Sequence, residues 1–285
     1  MAPVLCGLLT AFCWGWADVL ARFTGRALGA RGALFTMMLA GSAGLSLWMV
    51  ARDQPWPGIP SWWTVATALL ATLAMLLFYE AMRRGPVSLV SPATGAYPAW
   101  AVLIGMAFGV ATPPAALAAM AVTLGGVMLV ARYAAAEPDP AEAPKRPLTL
   151  ALALIASLLF GVTLLVGQQA ILRDGSTPML WWGRTTATVI MGLVLLFQRP
   201  RRAWRPPLKA TILALLQGGL DTLGLVFLFA AGRGLEGAMA TISSSAFGVV
   251  TVLLARLLYK ERISPGQGLG IGLVFSGVVG LAALA

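Results

Sequence analysis

The chain contains no histidine and only ten acidic residues in 285 positions. The first absence removes His-ligated metal sites, Ser-His-Asp and Cys-His nucleophiles, and histidine proton relays. The second leaves few enough candidates for charge chemistry to be weighed one at a time. Cysteine is scarce as well. Cys6 and Cys13 lie seven residues apart in one apolar stretch, about 10 Å along a helix and too far for a disulfide, so they read as small packing residues. Charged residues make up 11% of the chain and hydrophobic ones 59%, where soluble domains carry about 25% and about 45–50%. A water-soluble globule cannot hide that much apolar surface, so the composition points to a bilayer. The net charge of +10 is no nucleic-acid signal, because the basic residues sit between apolar runs and not on one soluble face.

What is present is apolar sequence in long runs. Ten stretches, 2–22, 31–51, 61–82, 86–109, 112–133, 148–172, 177–198, 208–232, 236–259 and 265–284, are each long enough to cross about 30 Å of hydrocarbon. The start lacks the basic segment of a signal peptide, so the first stretch is read as a helix. Sixteen Lys and Arg fall in the connections after spans 1, 3, 5, 7 and 9, three on the other side, and Arg184 lies within span 7. That bias places both termini outside and the Arg199–Lys209 connection in the cytoplasm.

Residues 134–147, rich in proline and charge, form the one stretch of linker character and divide the chain into 1–133 and 148–285. The halves resemble each other at a slowly drifting offset: Trp14-Gly15 with Phe160-Gly161, Arg84-Gly85 with Arg233-Gly234, and Gly126-Val127 with Gly277-Val278. Five spans is an odd number, so the second half runs through the membrane upside down. The fold expected is an all-α integral membrane protein of ten transmembrane helices, a 5+5 inverted-topology repeat around a central cavity. Inverted repeats are the architecture of secondary transporters, with the substrate near the midplane.

Two runs of residues carry a family likeness. One is Tyr259-Lys260-Glu261-Arg262-Ile263-Ser264-Pro265 followed by Gln267, Gly270, Gly272 and Gly277-Val278; the other runs from Tyr79-Glu80-Ala81 through Pro86-Val87-Ser88-Leu89-Val90-Ser91-Pro92 to Pro98. Together with Trp14-Gly15 they resemble the ten-helix EamA-type members of the drug/metabolite transporter superfamily, over essentially the whole chain. The first half departs from the pattern, with Ala111-Thr112-Pro113-Pro114 where the acidic turn would stand. The resemblance implies a cavity lined by the first four helices of each half, the fifth and tenth helices at the periphery, and export of small metabolites, often amino acids, across a bacterial inner membrane.

Charges inside spans are costly and mark candidate sites. Asp18 has Arg22 four residues on, and Glu80 has Arg83 and Arg84 at three and four, which reads as ion pairs near the cytoplasmic end. Asp221 lies thirteen residues into span 8 beside Gly218, Gly219 and Gly224, with no charge within a turn. Counting inward at 1.5 Å per residue puts Arg184 and Asp221 both about 10 Å below the outer face, so the two are expected to meet as a site for a zwitterion or a coupling proton, or as a structural pair. The same count puts Asp18 about 24 Å down. Span 4 carries Pro86, Pro92 and Pro98 with Ser91, Thr94 and Tyr97, and carbonyls freed by proline call for protein or a wet cavity. Ser243, Ser244 and Ser245 stand at the matching depth of span 9. Gln168, Gln169, Gln217 and Tyr79 add neutral hydrogen-bonding groups, and Trp14, Trp16 and Trp100 apolar wall, while Trp62, Trp63, Trp181 and Trp182 read as an interfacial belt. Gly268, Gly272, Ser276 and Gly280 form a small-residue stripe in span 10, expected to pack within a monomer, with a homodimer seam as the alternative.

The function expected is therefore export of a small polar metabolite by alternating access, with a small-molecule substrate and the lipid bilayer as partners and with no cofactor, metal or nucleic acid. An uncoupled facilitator or exchanger is the alternative. An intramembrane enzyme is a remote one: histidine is absent, and Asp18 and Asp221 are expected at different depths.

Overall fold

The computed structural model describes residues 3–109, 113–134, 146–197, 206–230, 240, 243–244 and 246–284. Among these residues every regular element is a helix. In chain order the helices are α1 (Pro3–Ala51), α2 (Trp62–Arg84), α3 (Val87–Gly95), α4 (Tyr97–Ala107), α5 (Pro114–Ala134), α6 (Arg146–Asp174), α7 (Ser176–Phe197), α8 (Leu208–Ala230), α9 (Phe247–Tyr259) and α10 (Pro265–Leu284). Six segments, counting α3 and α4 as one, are long and apolar enough to cross a membrane. This is a multi-pass membrane protein.

The long first helix is two antiparallel arms. Trp14 Nε1 donates to the Asp221 carbonyl at 3.3 Å, and Gly41 lies against Thr222 on the next residue of α8. A straight helix would separate Trp14 and Gly41 by about 40 Å, so the chain turns back between them. It does so at Gly29, whose φ of 75° and ψ of 156° fall in a region open essentially to glycine alone. The apolar runs 2–22 and 31–51 predict a connection over 23–30; one residue makes the turn. Gly175, with φ 85°, reverses the chain in the same way between α6 and α7, and its N–H donates to the Ile171 carbonyl at 3.0 Å.

Local chemistry explains the other helix boundaries. Ser61 caps α2 by accepting from the Thr64 N–H, and Asp174 Oδ2 accepts from the Ser61 N–H, the Ser61 hydroxyl and the Thr64 hydroxyl at 2.6–2.9 Å. A carboxylate at a helix start offsets the exposed N–H groups and the helix dipole there. Arg83 and Arg84 stand in the last turn of α2. Pro98 at the start of α4 interrupts the fourth span at Ala96.

α8 lies against both arms of α1, α6 against α2, and α5 against α10. Glycines allow the close approaches. A Cβ on Gly224 would lie 2.7 Å from Trp14 Nε1, one on Gly126 2.6 Å from the Val274 nitrogen, and one on Gly277 2.6 Å from the Ala119 carbonyl oxygen. The stripe expected to make the α10 seam does not make it. No atom lies within 4 Å of a Cβ built on Gly272, and only Ile263, just ahead of the helix, meets one on Gly268. Gly268, Gly272 and Ser276 are exposed, and of the three glycines in the stripe only Gly280 meets α5, at Ala119. Gly270, Val274 and Gly277, on another face of the same helix, form the seam instead.

Candidate functional site

Where α8 crosses the two arms of α1 and meets α2 and α7, apolar side chains give way to a polar line. The Thr24 hydroxyl donates to Gln217 Oε1 at 2.9 Å, Gln217 Nε2 donates to the Tyr79 hydroxyl at 2.5 Å, and that hydroxyl donates to Met37 Sδ at 2.9 Å. Tyr79 and Gln217 are among the most completely buried large side chains. All donors point one way along this chain, so each bond polarises the next, and it ends on a thioether, a weak acceptor.

One turn along α8 from Gln217, the Asp221 carboxylate meets Arg184 of α7, with Nη2 2.5 Å from Oδ2. The side chains are 7% and 19% exposed, so the pair sits in low dielectric, where removing one partner leaves a costly uncompensated charge. Arg184 is held further by Met38, whose sulfur is 3.8 Å from Nη1, while its Nε has no partner among the described residues. Gly41 makes room for the guanidinium: a Cβ there would lie 2.8 Å from Arg184 Cδ and Nη1.

Asp18 lies closer to this pair than counting along the helices predicts. It stands one turn, about 6 Å, from Trp14, and the Trp14 indole reaches the Asp221 backbone; the depth difference of about 14 Å reckoned from sequence is much reduced. Helices that tilt and stagger do not keep residues of equal count at equal height. The depth argument against paired aspartates therefore fails, and what distinguishes the two is chemical: Asp221 is neutralised by Arg184, whereas among the described residues Asp18 Oδ2 accepts only from the hydroxyls of Ser91 and Thr251, at 3.2 and 3.3 Å. The expected Asp18–Arg22 pair is not formed. Arg22 binds Glu261 instead, because Glu261 is already fixed by other donors and draws the guanidinium away.

Those donors belong to α3. Glu261 Oε1 and Oε2 accept from the Val87 and Ser88 N–H groups, both at 2.9 Å, and so cap the start of α3 with a charge. Pro92 has no N–H and leaves the Ser88 carbonyl without its helical donor; Gln267 Nε2 supplies one at 3.4 Å. Two residues of the acidic-turn motif thus complete the hydrogen bonding of a proline-interrupted helix. Their role was not visible in the sequence, although the orphan carbonyl created by Pro92 was a usable signal.

The remaining candidates are spread more widely. Glu80 pairs with Arg83 and Arg84 on its own helix. Thr94 Oγ1 and Trp100 Nε1 are buried atoms without partners among the described residues, as is Ser157 Oγ, which no sequence motif singles out. Tyr97 stacks edge-on against Phe160 at 6.3 Å, and Trp14 against Phe247 at 6.0 Å. Ser244 is buried and Ser243 half-buried, while Ser245 lies outside the described residues. Gln168 and Gln169 are exposed and stand apart from the polar centre. Trp181 and Trp182 anchor by their indole N–H groups to Ser46 and to the Gly58 carbonyl, at 2.9 and 3.0 Å. No group of three or more Cys, Asp or Glu suited to a metal ion occurs among the described residues.

No curated protein matches the chain by sequence. A solved structure described only as the crystal structure of a protein is similar to it, with a TM-score of 0.63 at 18% identity, over 99% of this chain and 96% of the other; that likeness speaks to the fold. The model of the EamA-like transporter family matches residues 1–132 and 147–283. With both matched segments contributing to the polar centre, the chain belongs to the EamA-like transporter family, a membrane transporter of the drug/metabolite transporter type.

Proposed function

We propose that the protein is a secondary transporter of a bacterial inner membrane, exporting a small polar metabolite by alternating access, with amino acids as the preferred substrate class. Its ten spans would form two inverted five-helix halves around a central cavity, with both termini outside. The observation that carries this reading is a set of contacts repeated between the halves. Gly15 packs against Phe247 and Val250 as Gly161 packs against Tyr97 and Trp100, and Gly126 against Gly270 and Val274 as Gly277 against Ala119 and Thr123. The glycine reversals at Gly29 and Gly175 stand at the same offset as Gly15 and Gly161. Such correspondence supports a repeat whose halves exchange roles as the two faces open in turn.

Between the halves, Arg184 and Asp221 offer opposite charges that suit the carboxylate and ammonium of a zwitterion. Overexpression in bacteria challenged with toxic amino-acid analogues, followed by transport in proteoliposomes, tests the substrate class; protection against none of them would overturn it. Asp221→Asn is expected to lower transport at least tenfold and to leave Arg184 unpaired at about 3–5 kcal/mol in stability. The double variant Asp221→Asn with Arg184→Gln should regain much of the stability and none of the transport. Recovery of transport in the double variant would make the pair purely structural.

A further inference from the structure

Each of the other acidic side chains that the structure describes within or at the end of the spans has a firm partner. Asp221 has Arg184, Glu80 has Arg83 and Arg84, Glu261 has Arg22 and two backbone N–H groups, and Asp174 has three donors at the start of α2. Asp18 is the exception. Its Oδ2 receives two long bonds from neutral hydroxyls, against about 2.5–2.7 Å for a full-strength hydroxyl–carboxylate bond. One of the two is shared, because the Thr251 hydroxyl has a single proton and lies closer, at 2.9 Å, to the Phe247 carbonyl. Asp18 Oδ1 accepts nothing among the described residues. Ser91 and Thr251 are buried and Asp18 is half-buried, so the unfilled acceptor capacity of the carboxylate lies on Oδ1.

The surrounding charges do not fill that gap. Arg22 on its own helix is tied to Glu261, whose carboxylate also faces the start of α3. Tyr259 of α9 donates to the Val19 carbonyl. From α2 the Tyr79 hydroxyl faces Gln217 and Met37, and Glu80 keeps to its arginines. From α8 Asp221 adds a like charge, and Arg184 of α7 is spent on it. A carboxylate so placed is short of one positive charge.

We propose that Asp18 is a cation-binding site that takes up one proton, or the ammonium group of a substrate, on its free Oδ1. The inference rests on the transporter reading and deepens it. Ser91 belongs to the first matched segment and Thr251 to the second, so the bare carboxylate draws hydroxyls from both halves onto one oxygen. Uptake of a proton from water converts it to a neutral acid with an O–H of its own. Thr251 then keeps its proton on the Phe247 carbonyl, and the hold of α3 and α9 on Asp18 loosens. Binding at Asp18 is thereby coupled to the contact between the halves.

The test is an infrared pH titration of the full chain in lipid nanodiscs between about pH 5 and 8, where exposed carboxylates stay ionised. The wild type should gain the carbonyl band of one protonated carboxylic acid on acidification. Asp18→Asn should lose that band, Asp221→Asn should keep it, and Asp18→Glu, which keeps an acid in place if the amide variant does not fold, should retain it at a shifted midpoint. A second titration adds ethylammonium chloride at fixed pH. Loss of the band on its addition, or a saturable response without any band, assigns the site to ammonium, provided Asp18→Asn abolishes the response. No band and no saturable response in the wild type, or either one surviving in Asp18→Asn, overturns the proposal. The titration needs no substrate, so its failure leaves the export screen standing, and a failed screen leaves the titration interpretable.

Discussion

Gly41 owes its lack of a side chain to Arg184. The space a Cβ would occupy is already filled by the Arg184 side chain and by Thr222 Oγ1, each 2.8 Å away, and the guanidinium cannot retreat without leaving Asp221. Gly41→Ala should therefore cost roughly 1–3 kcal/mol, read as a lower melting temperature in detergent, and should depress transport as Asp221→Asn does. Normal transport with a lowered melting temperature would separate the fit of Arg184 from its function. The Arg184–Asp221 pair was legible in the sequence because two uninterrupted helices let depth be counted from their ends. Asp18 was misjudged because the i, i+4 rule looks only along one helix, and Arg22 was taken by a carboxylate 239 positions away.

At the scale of helices, α3 depends on residues far from it in the chain. Glu261 and Gln267 complete its hydrogen bonds at the first turn and beside Pro92. Glu261→Gln keeps an acceptor but loses the charge opposite Arg22 and should cost about 1.5–3 kcal/mol. Gln267→Leu leaves the Ser88 carbonyl unpaired, at about 1–3 kcal/mol. Both losses are measurable as thermal shifts by size-exclusion chromatography, and equal stability of Gln267→Leu and wild type would show that another donor reaches that carbonyl. Helix existence was readable from apolar run length alone. The seam of α10 was not, since Gly268-Gly272-Ser276 and Gly270-Val274-Gly277 have nearly the same spacing on different faces. Only the position of α5 decides which face is covered.

Across the whole molecule the repeated contacts make matched predictions. Gly126→Ala and Gly277→Ala should destabilise by similar amounts, about 1–3 kcal/mol, because each Cβ would meet backbone of the opposite helix. Gly272→Ala, with no atom within 4 Å, should be neutral or stabilising by up to about 1 kcal/mol. Thermal melts of the three variants check this directly, and a strongly destabilised Gly272→Ala would mean that a second surface packs there. The two reversals at Gly29 and Gly175 also bear on how the chain enters its membrane. A one-residue turn leaves no loop between the arms: Arg26 and Arg31 at the first reversal, and Arg173 and Asp174 at the second, belong to the helices themselves. Each helix pair is thus a hairpin before it is a pair of spans. The insertion machinery has to receive all 49 residues of the first one before either arm can settle, and the 146–197 pair repeats the requirement halfway through synthesis.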